Sequence, residues 1–371
     1  MNNQTIYQIA LTLVRGIGDV NGKKLVAYCG GAEAVFYESR KSLLSIPGMR
    51  ESIVDGIFSI EVMRRAEKEA DYIEKNDIES FFYLDNAYPR RLLHCPDSPM
   101  MLYSKGFCDF NAKKVIGIVG TRNMSDYGRE QTEKIVAELK SDNVLIVSGL
   151  AYGVDTAAHR AAVANGIDTV AVLGHGLQTI YPETNASLAK KITRQGALVT
   201  EYVSGTQPDR DNFPRRNRIV AGMTDCLVVI ESALKGGALI TADIAASYDR
   251  DIFAIPGRVG DTYSEGCNHL IRVNKAALVT CADDIRYAMR WDVKTSTQPK
   301  QMRLFRDFSQ EEQRILDCFG DEDIIHLDKI INQTGFASPR IASVLLSLEF
   351  DGVITALPGK RYAKNTATCK K

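Results

Sequence analysis

Net charge is the first thing missing from this chain: 46 Lys and Arg stand against 46 Asp and Glu across 371 residues. A neutral molecule has no blanket attraction for nucleic acid or membrane, so any polyanion site must be a local patch. Material for metal and disulfide chemistry is also short. The eight cysteines never form a Cys-x-x-Cys pair, and the five histidines are dispersed, none at ligand spacing from a Cys or another His. That pattern fits reduced thiols better than a disulfide framework or a zinc site, and neither metal nor cofactor is expected. No apolar run approaches the ~20 residues a membrane helix needs. The opening MNNQTIYQIA lacks the basic-then-apolar order of a signal peptide. The expected compartment is the cytoplasm, with no membrane partner.

What is present is ordinary globular material, 45% apolar and 25% charged, in a chain long enough for more than one domain. Residues 1–70 read as a helical domain. Two glycine-built turns, in "LVRGIGDVNGKKL" and "LLSIPGMRESIVDGI", each separate two apolar-periodic segments, the outline of helix-hairpin-helix (SAM-like) units. Such a turn can offer backbone N–H groups to a phosphate, and Lys23 and Lys24 lend it cations; a small helical bundle with tight turns fits as well. Residues 71–111 are less regular, broken by Pro89, Pro96 and Pro99, and read as a connecting segment packed on the next domain.

From 112 to 290 the pattern changes. Val/Ile-rich runs at 115–119, 144–147, 169–173, 197–200, 226–230 and 252–255 alternate with amphipathic helical segments. This predicts a Rossmann-like, doubly wound, mostly parallel α/β sheet. A polar, turn-rich linker follows over 291–308. The last stretch, 309–371, shows three apolar-periodic segments and a short hairpin-like ending, the order of a winged helix. Its second motif helix, "PRIASVLLSLEFDG", is largely apolar, so a protein-contact module is as consistent with it as a DNA reader.

Ligands of open α/β sheets bind beyond the carboxyl ends of the strands, so the loops there matter most. The first carries Gly120, Thr121 and Arg122 and lacks G-x-G-x-x-G; an arginine there can fork onto a phosphate. The second carries Ser148 and Gly149 in a tight turn before a helix. After the fourth strand comes "FPRRNR", with Phe213, Arg215, Arg216, Asn217 and Arg218 at a helix start, where the macrodipole disfavours cations. A bound anion would relieve that conflict. After the fifth strand Lys235 precedes Gly236 and Gly237. Four loops with glycine, arginine or lysine favour one phosphate-binding surface. His159, His175, Glu201, Glu231 and Asp155 form no convincing catalytic set, and Ser148 lacks the G-x-S-x-G elbow. No catalytic residue is assigned, and a binding role is expected.

In order, "VIGIVGTR", "VSGLAYGVDTAAHRAA", "VLGHGLQTIYPETN", "GALVTEY", "FPRRNRIVAGM", "GGALITADIA", "FAIPG" and "EGCNHLI" closely resemble the DNA processing protein A (DprA/Smf) family over about 112–285. Tyr152 departs from the family's usual arginine, removing a cation. The resemblance implies a non-enzymatic homodimer that binds single-stranded DNA, protects incoming strands and loads the RecA recombinase during natural transformation. It maps the DNA pocket onto Gly120, Thr121, Arg122, Phe213, Arg215, Arg216, Asn217 and Arg218, with Gly236 and Gly237 as the glycine-rich helix start. Phe213 is placed either to stack a base or to anchor its loop as a core aromatic. An alternative is a nucleotide-processing enzyme of the LOG phosphoribohydrolase type, although "KGGALITADI" lacks the Pro and Glu of that motif. A third reading, a transcription regulator using the winged helix, has the least support, because the densest cations lie in the sheet domain.

Overall fold

The computed structural model describes residues 3–291, 308–320 and 322–365. Apart from its two end residues, the linker expected over 291–308 lies outside them. The chain divides into two compact units, Met1–Ala282 and Asp283–Lys371.

The first unit is organised by a nine-stranded sheet. Its strands are β1 (Glu79–Phe82), β2 (Met101–Gly106), β3 (Lys114–Val119), β4 (Val144–Ser148), β5 (Thr169–Val172), β6 (Ala197–Thr200), β7 (Cys226–Val229), β8 (Asp251–Ala254) and β9 (Ala277–Leu278). They lie in the order β1-β2-β6-β5-β4-β3-β7-β8-β9. β1 and β2 pair antiparallel with each other, and β2 pairs antiparallel with β6. The seven strands from β3 onward are parallel. Central strands such as β4 are buried at every position, which is why they read as unbroken Val/Ile/Leu runs rather than alternating ones.

Topology then places the crevices. From β3 the chain steps outward through β4 and β5 to β6, then returns to β7 on the far side of β3 and continues to β8 and β9. The reversal therefore falls between β3 and β7.

The helical segment ahead of the sheet forms both helical hairpins, Asn3–Leu13 with Asp19–Cys29 and Arg40–Ser45 with Glu51–Ile57. Their apolar faces do not close on themselves. Ile9, Leu25, Leu43 and Ile57 share one cluster with Phe82, Met101 and Tyr103 of β1 and β2. The expected irregular connector over 71–111 is thus partly regular: it holds the end of helix Ile60–Lys75 and two strands of the sheet. The prolines that suggested otherwise sit between β1 and β2. Of the two lysines considered for phosphate contact at the first hairpin, Lys23 is engaged internally and Lys24 is exposed. Lys23 donates to the Ser98 carbonyl at 2.6 Å, and Asp19 accepts from the Met100 N–H at 2.9 Å.

The second unit has helices Gln310–Asp317, Leu327–Thr334 and Ser338–Phe350 with strands β10 (Ile324–His326), β11 (Ile354–Leu357) and β12 (Arg361–Lys364). The three strands form a sheet in the order β10-β12-β11, and the helices close on Ile315, Phe319, Ile341 and Leu348. This is a winged helix. Arg340, the one cation of its third helix, is forked onto Glu311 at 2.7 and 3.2 Å.

Candidate nucleic-acid interface

The reversal between β3 and β7 is where a dinucleotide would sit in a sheet of this kind. Here the chain fills it. Glu231, at the tip of β7, is buried and accepts from the Ser125 N–H at 2.9 Å and the Ser125 hydroxyl at 2.5 Å. Ser125 caps helix Asp126–Glu138 by accepting from the Gly128 N–H at 3.1 Å. The carboxylate thus takes the helix N-terminus that a pyrophosphate would otherwise occupy. A Cβ on Gly128 would stand 2.2 Å from Glu231 Oε2, so the carboxylate is packed into the turn as well as bonded to it.

The open recess lies beside this plug, over the tips of β4 and β5. It is lined by Arg122, Leu150–Tyr152, Val172–His175, Tyr181, Pro182, Phe213 and Arg216. Its rim is aromatic. The Phe213 and Tyr181 ring centroids are 5.7 Å apart with planes tilted by 34°. The Arg122 guanidinium carbon stands 5.5 Å from the Phe213 centroid, within cation–π range. Tyr152 and Tyr181 are 46% and 45% exposed. Arg122 is exposed and forms no ion pair among the described residues.

The floor is polar and buried. Arg216 is only 5% exposed, donates from Nη1 to the Val172 carbonyl, and leaves Nε without a partner. Burial lowers its pKa, while the nearby Asp155 carboxylate opposes that shift. Asp155, also buried, has its pKa raised by desolvation, with Arg216 opposing. The two meet at Gly149, where a Cβ would fall 2.3 Å from Asp155 Oδ2 and 2.6 Å from Arg216 Nη1. Only glycine leaves room there. His175 also lines the recess, buried, with Nδ1 3.0 Å from the Gly176 carbonyl and Nε2 unpartnered.

Arg122 reaches the rim because its loop is clamped on both sides. The Thr121 N–H donates to the Glu231 carbonyl at 2.8 Å, and the Thr121 carbonyl accepts from Val154 at 3.3 Å. Gly153 makes this approach possible. Its φ is +75°, and a Cβ would come 2.2 Å from the Thr121 carbonyl oxygen, a conformation and a contact that other residues do not support.

A model of the DNA recombination-mediator protein A family matches residues 79–290, more than half of the chain. The chain belongs to that family. A model of the DprA winged helix domain matches residues 298–360. DNA processing protein DprA of Streptococcus pneumoniae is 42% identical over 206 residues, covering 56% of this chain and 72% of that protein. Protein Smf of Escherichia coli is 36% identical over 282 residues, 73% and 74% of the two chains. Among solved structures, S. pneumoniae DprA superposes with a TM-score of 0.63 at 34% identity, over 76% of this chain and 97% of that one. A DNA processing protein A from Helicobacter pylori, described for its single-stranded DNA binding mode, gives 0.53 at 27% identity, over 58% and 96%.

Within this family member the expected site residues part company. Arg122, Phe213 and Arg216 line the recess, Gly120 and Thr121 hold Arg122 in place, and Gly149 makes room beneath Arg216. Ser148 is buried, with its hydroxyl donating to the Ile118 carbonyl at 2.6 Å. Helix Asn212–Gly222 carries the arginine run, and a helix turns each residue about 100° from the last. Arg216 and Arg218 therefore point to nearly opposite sides. Arg218 is neutralised by Glu201 and by Asp19 at 3.1 Å, so it does not join the site. Arg215 is exposed, and neither it nor Asn217 lines the recess. Lys235, Gly236 and Gly237 start helix Gly237–Ser247 beyond β7 and line no part of it either. The predicted convergence of four loops reduces to three loops and one helix.

Gly174 and Tyr181 went unremarked as site residues in the sequence, and His175 was weighed there only as a catalytic group. The available signal was the glycine and histidine directly after the third Val/Ile run, the same strand-end position examined elsewhere. The catalytic candidates have structural partners instead. His159 has Nδ1 2.7 Å from the Thr169 hydroxyl and Nε2 3.2 Å from the Gly149 carbonyl.

Burial pushes the His159 imidazole down to about 4, against about 6.5 in an unfolded chain. The unfolded state alone takes up a proton in that interval. The contribution is whole above pH 6.5 and is lost as pH falls toward 4, up to about 3 kcal/mol. Glu201, pushed up to about 7 by desolvation, acts with the opposite sign, its contribution being lost as pH rises toward 7. Urea unfolding at pH 7 and pH 5 is therefore expected to show a shallower acid loss in His159→Gln than in the unmodified protein. An identical loss refutes the assignment.

Proposed function

We propose that the protein binds single-stranded DNA in the recess over β4 and β5, protects incoming strands and loads the RecA recombinase onto them during natural transformation and recombination. One observation carries this reading: an unpaired exposed cation, Arg122, lies against the Phe213–Tyr181 ring pair over a recess with unsatisfied polar nitrogens in its floor. Rings accept any base by its face, at about 1–3 kcal/mol per base, and cations track the backbone. The likeness to the H. pylori protein described for single-stranded DNA binding supports the same ligand.

The reading extends to a cytoplasmic, non-enzymatic protein that works as a homodimer through its sheet domain. Residues 112–290 would contact DNA, and the winged helix over 309–371 would serve other partners. Arg340, held by Glu311, supports protein rather than DNA contact there. Glu231 weighs against nucleotide processing, because it occupies the turn a nucleotide phosphate would need. The test is electrophoretic mobility of single strands and duplexes with the full chain across a salt series. Single strands should win, with log K falling by about 0.7 per neutralised phosphate for each unit of log salt. Equal affinity for duplex would overturn the reading. Release of free base from a nucleoside monophosphate would favour the phosphoribohydrolase alternative.

A further inference from the structure

The charge neutrality of the whole chain makes one face of the sheet unit unusual. Helices Asp126–Glu138, Val154–Asn165 and Ala186–Gln195 connect parallel neighbours that step outward in one direction, β3 to β4, β4 to β5 and β5 to β6. Right-handed crossovers put all three helices on the same side of the sheet.

Two of them lie side by side and point the same way, because they are tied at both ends. At the start, Asn185 donates to the Leu150 carbonyl at 2.9 Å and the Thr156 hydroxyl at 2.8 Å. At the finish, Gln195 donates to the Ala162 and Ile167 carbonyls at 3.2 and 2.6 Å.

Charge on this face is segregated. Helix Asp126–Glu138 carries Asp126, Glu130, Glu133 and Glu138 against Arg129 and Lys134. The other two helices carry Arg160, Lys190, Lys191 and Arg194, and their one carboxylate is the buried Asp155. Leu188, Ala189 and Ile192 turn into the core, which leaves Lys190, Lys191 and Arg194 on the outward face. All four cations are exposed, and none has an ion-pair partner among the described residues. Some exposed cations elsewhere are paired, such as Arg40 with Asp55, Arg64 with Glu61 and Lys275 with Asp243, and others stand singly, such as Lys113 and Arg215. What sets these two helices apart is four cations together with no exposed carboxylate on either helix. One acid, Glu183, stands exposed in the turn before helix Ala186–Gln195.

This face begins at the recess. Tyr152 of the rim stands two residues before helix Val154–Asn165, and Tyr181 and Pro182 of the rim precede the turn that opens helix Ala186–Gln195. At 1.5 Å per residue, Lys190 lies about 6 Å and Arg194 about 12 Å along the helix from its start.

We infer that Arg160, Lys190, Lys191 and Arg194 form a backbone track on which the phosphates of a strand anchored in the recess continue across the helices. This rests on the single-strand reading. It adds contacts that only a strand longer than the recess can reach.

The test compares an oligonucleotide of about 5 nucleotides with one of about 20, using the full chain and the triple variant Lys190→Gln/Lys191→Gln/Arg194→Gln. The variant is expected to bind the short strand within about twofold of the unmodified protein. It should lose about tenfold or more on the long strand and lower that strand's salt slope by about 2. An unchanged long-strand affinity, or an equal loss at both lengths, overturns the track. Arg122→Ala separates the two ideas, because loss of the recess should weaken both lengths. If Arg122→Ala is silent while the triple variant still weakens the long strand, the track stands and the recess reading falls.

Discussion

Arg122→Ala is expected to weaken single-strand binding about 10- to 100-fold while leaving the melting temperature where it was. The side chain is exposed and free of ion pairs among the described residues, so the fold loses little without it. To a bound strand it offers both a charge for phosphate and a cation over the Phe213 ring. Hydrogen bonds to charged groups contribute about 1.5–3 kcal/mol, and each 1.4 kcal/mol is about tenfold in affinity. The salt slope should fall by about 0.7, the signature of one lost phosphate contact. Arg218→Ala should do the reverse. Its guanidinium bridges Glu201 and Asp19, so its removal leaves two half-buried carboxylates uncompensated and lowers stability with little change in DNA affinity. Arg218 follows Phe213 by five residues and the Arg122 guanidinium carbon lies 5.5 Å from the Phe213 ring, yet the two arginines are separable by experiment. Wild-type affinity in Arg122→Ala ends the recess assignment.

That contrast also marks how far the sequence could be read. The parallel strands were legible because burial on both faces enforces continuous Val and Ile, and the runs at 115–119 and 226–230 match β3 and β7 to within a residue. β1 and β2 were not. "ESFF" and "MLYSKG" are short additions at one edge of the sheet, paired across a proline-rich connection. Arg122 was legible because a strand-end position alone puts it at the crevice. The arginine run was not, because proximity along a helix is angular dispersion in space: one guanidinium enters the floor, one meets internal acids, and one faces solvent. Glu231 shows a third kind of limit. It reads as a strand-end carboxylate, but its partner Ser125 lies 106 residues away, and only the closed sheet brings the two together to plug the reversal.

Arg216→Ala should have the larger effect on stability, about 3–5 kcal/mol. The guanidinium is buried, donates to the Val172 carbonyl and faces the buried Asp155. Truncation leaves an uncompensated carboxylate in a buried floor, which costs more than the net worth of the contact. Neutralising that carboxylate tests the cause. In Arg216→Ala/Asp155→Asn the side-chain carbonyl can still accept from the Ala151 N–H, as Asp155 Oδ2 does at 3.3 Å, and no charge is stranded. The double variant should therefore recover about 1–2 kcal/mol over Arg216→Ala when unfolding is measured at neutral pH. A double variant less stable than the single one would show that the floor depends on shape and hydrogen bonding rather than on charge balance. DNA binding should fall in both, since the recess loses its floor. Arg216 therefore reports on the integrity of the site, and Arg122, at the rim, on contact with the strand.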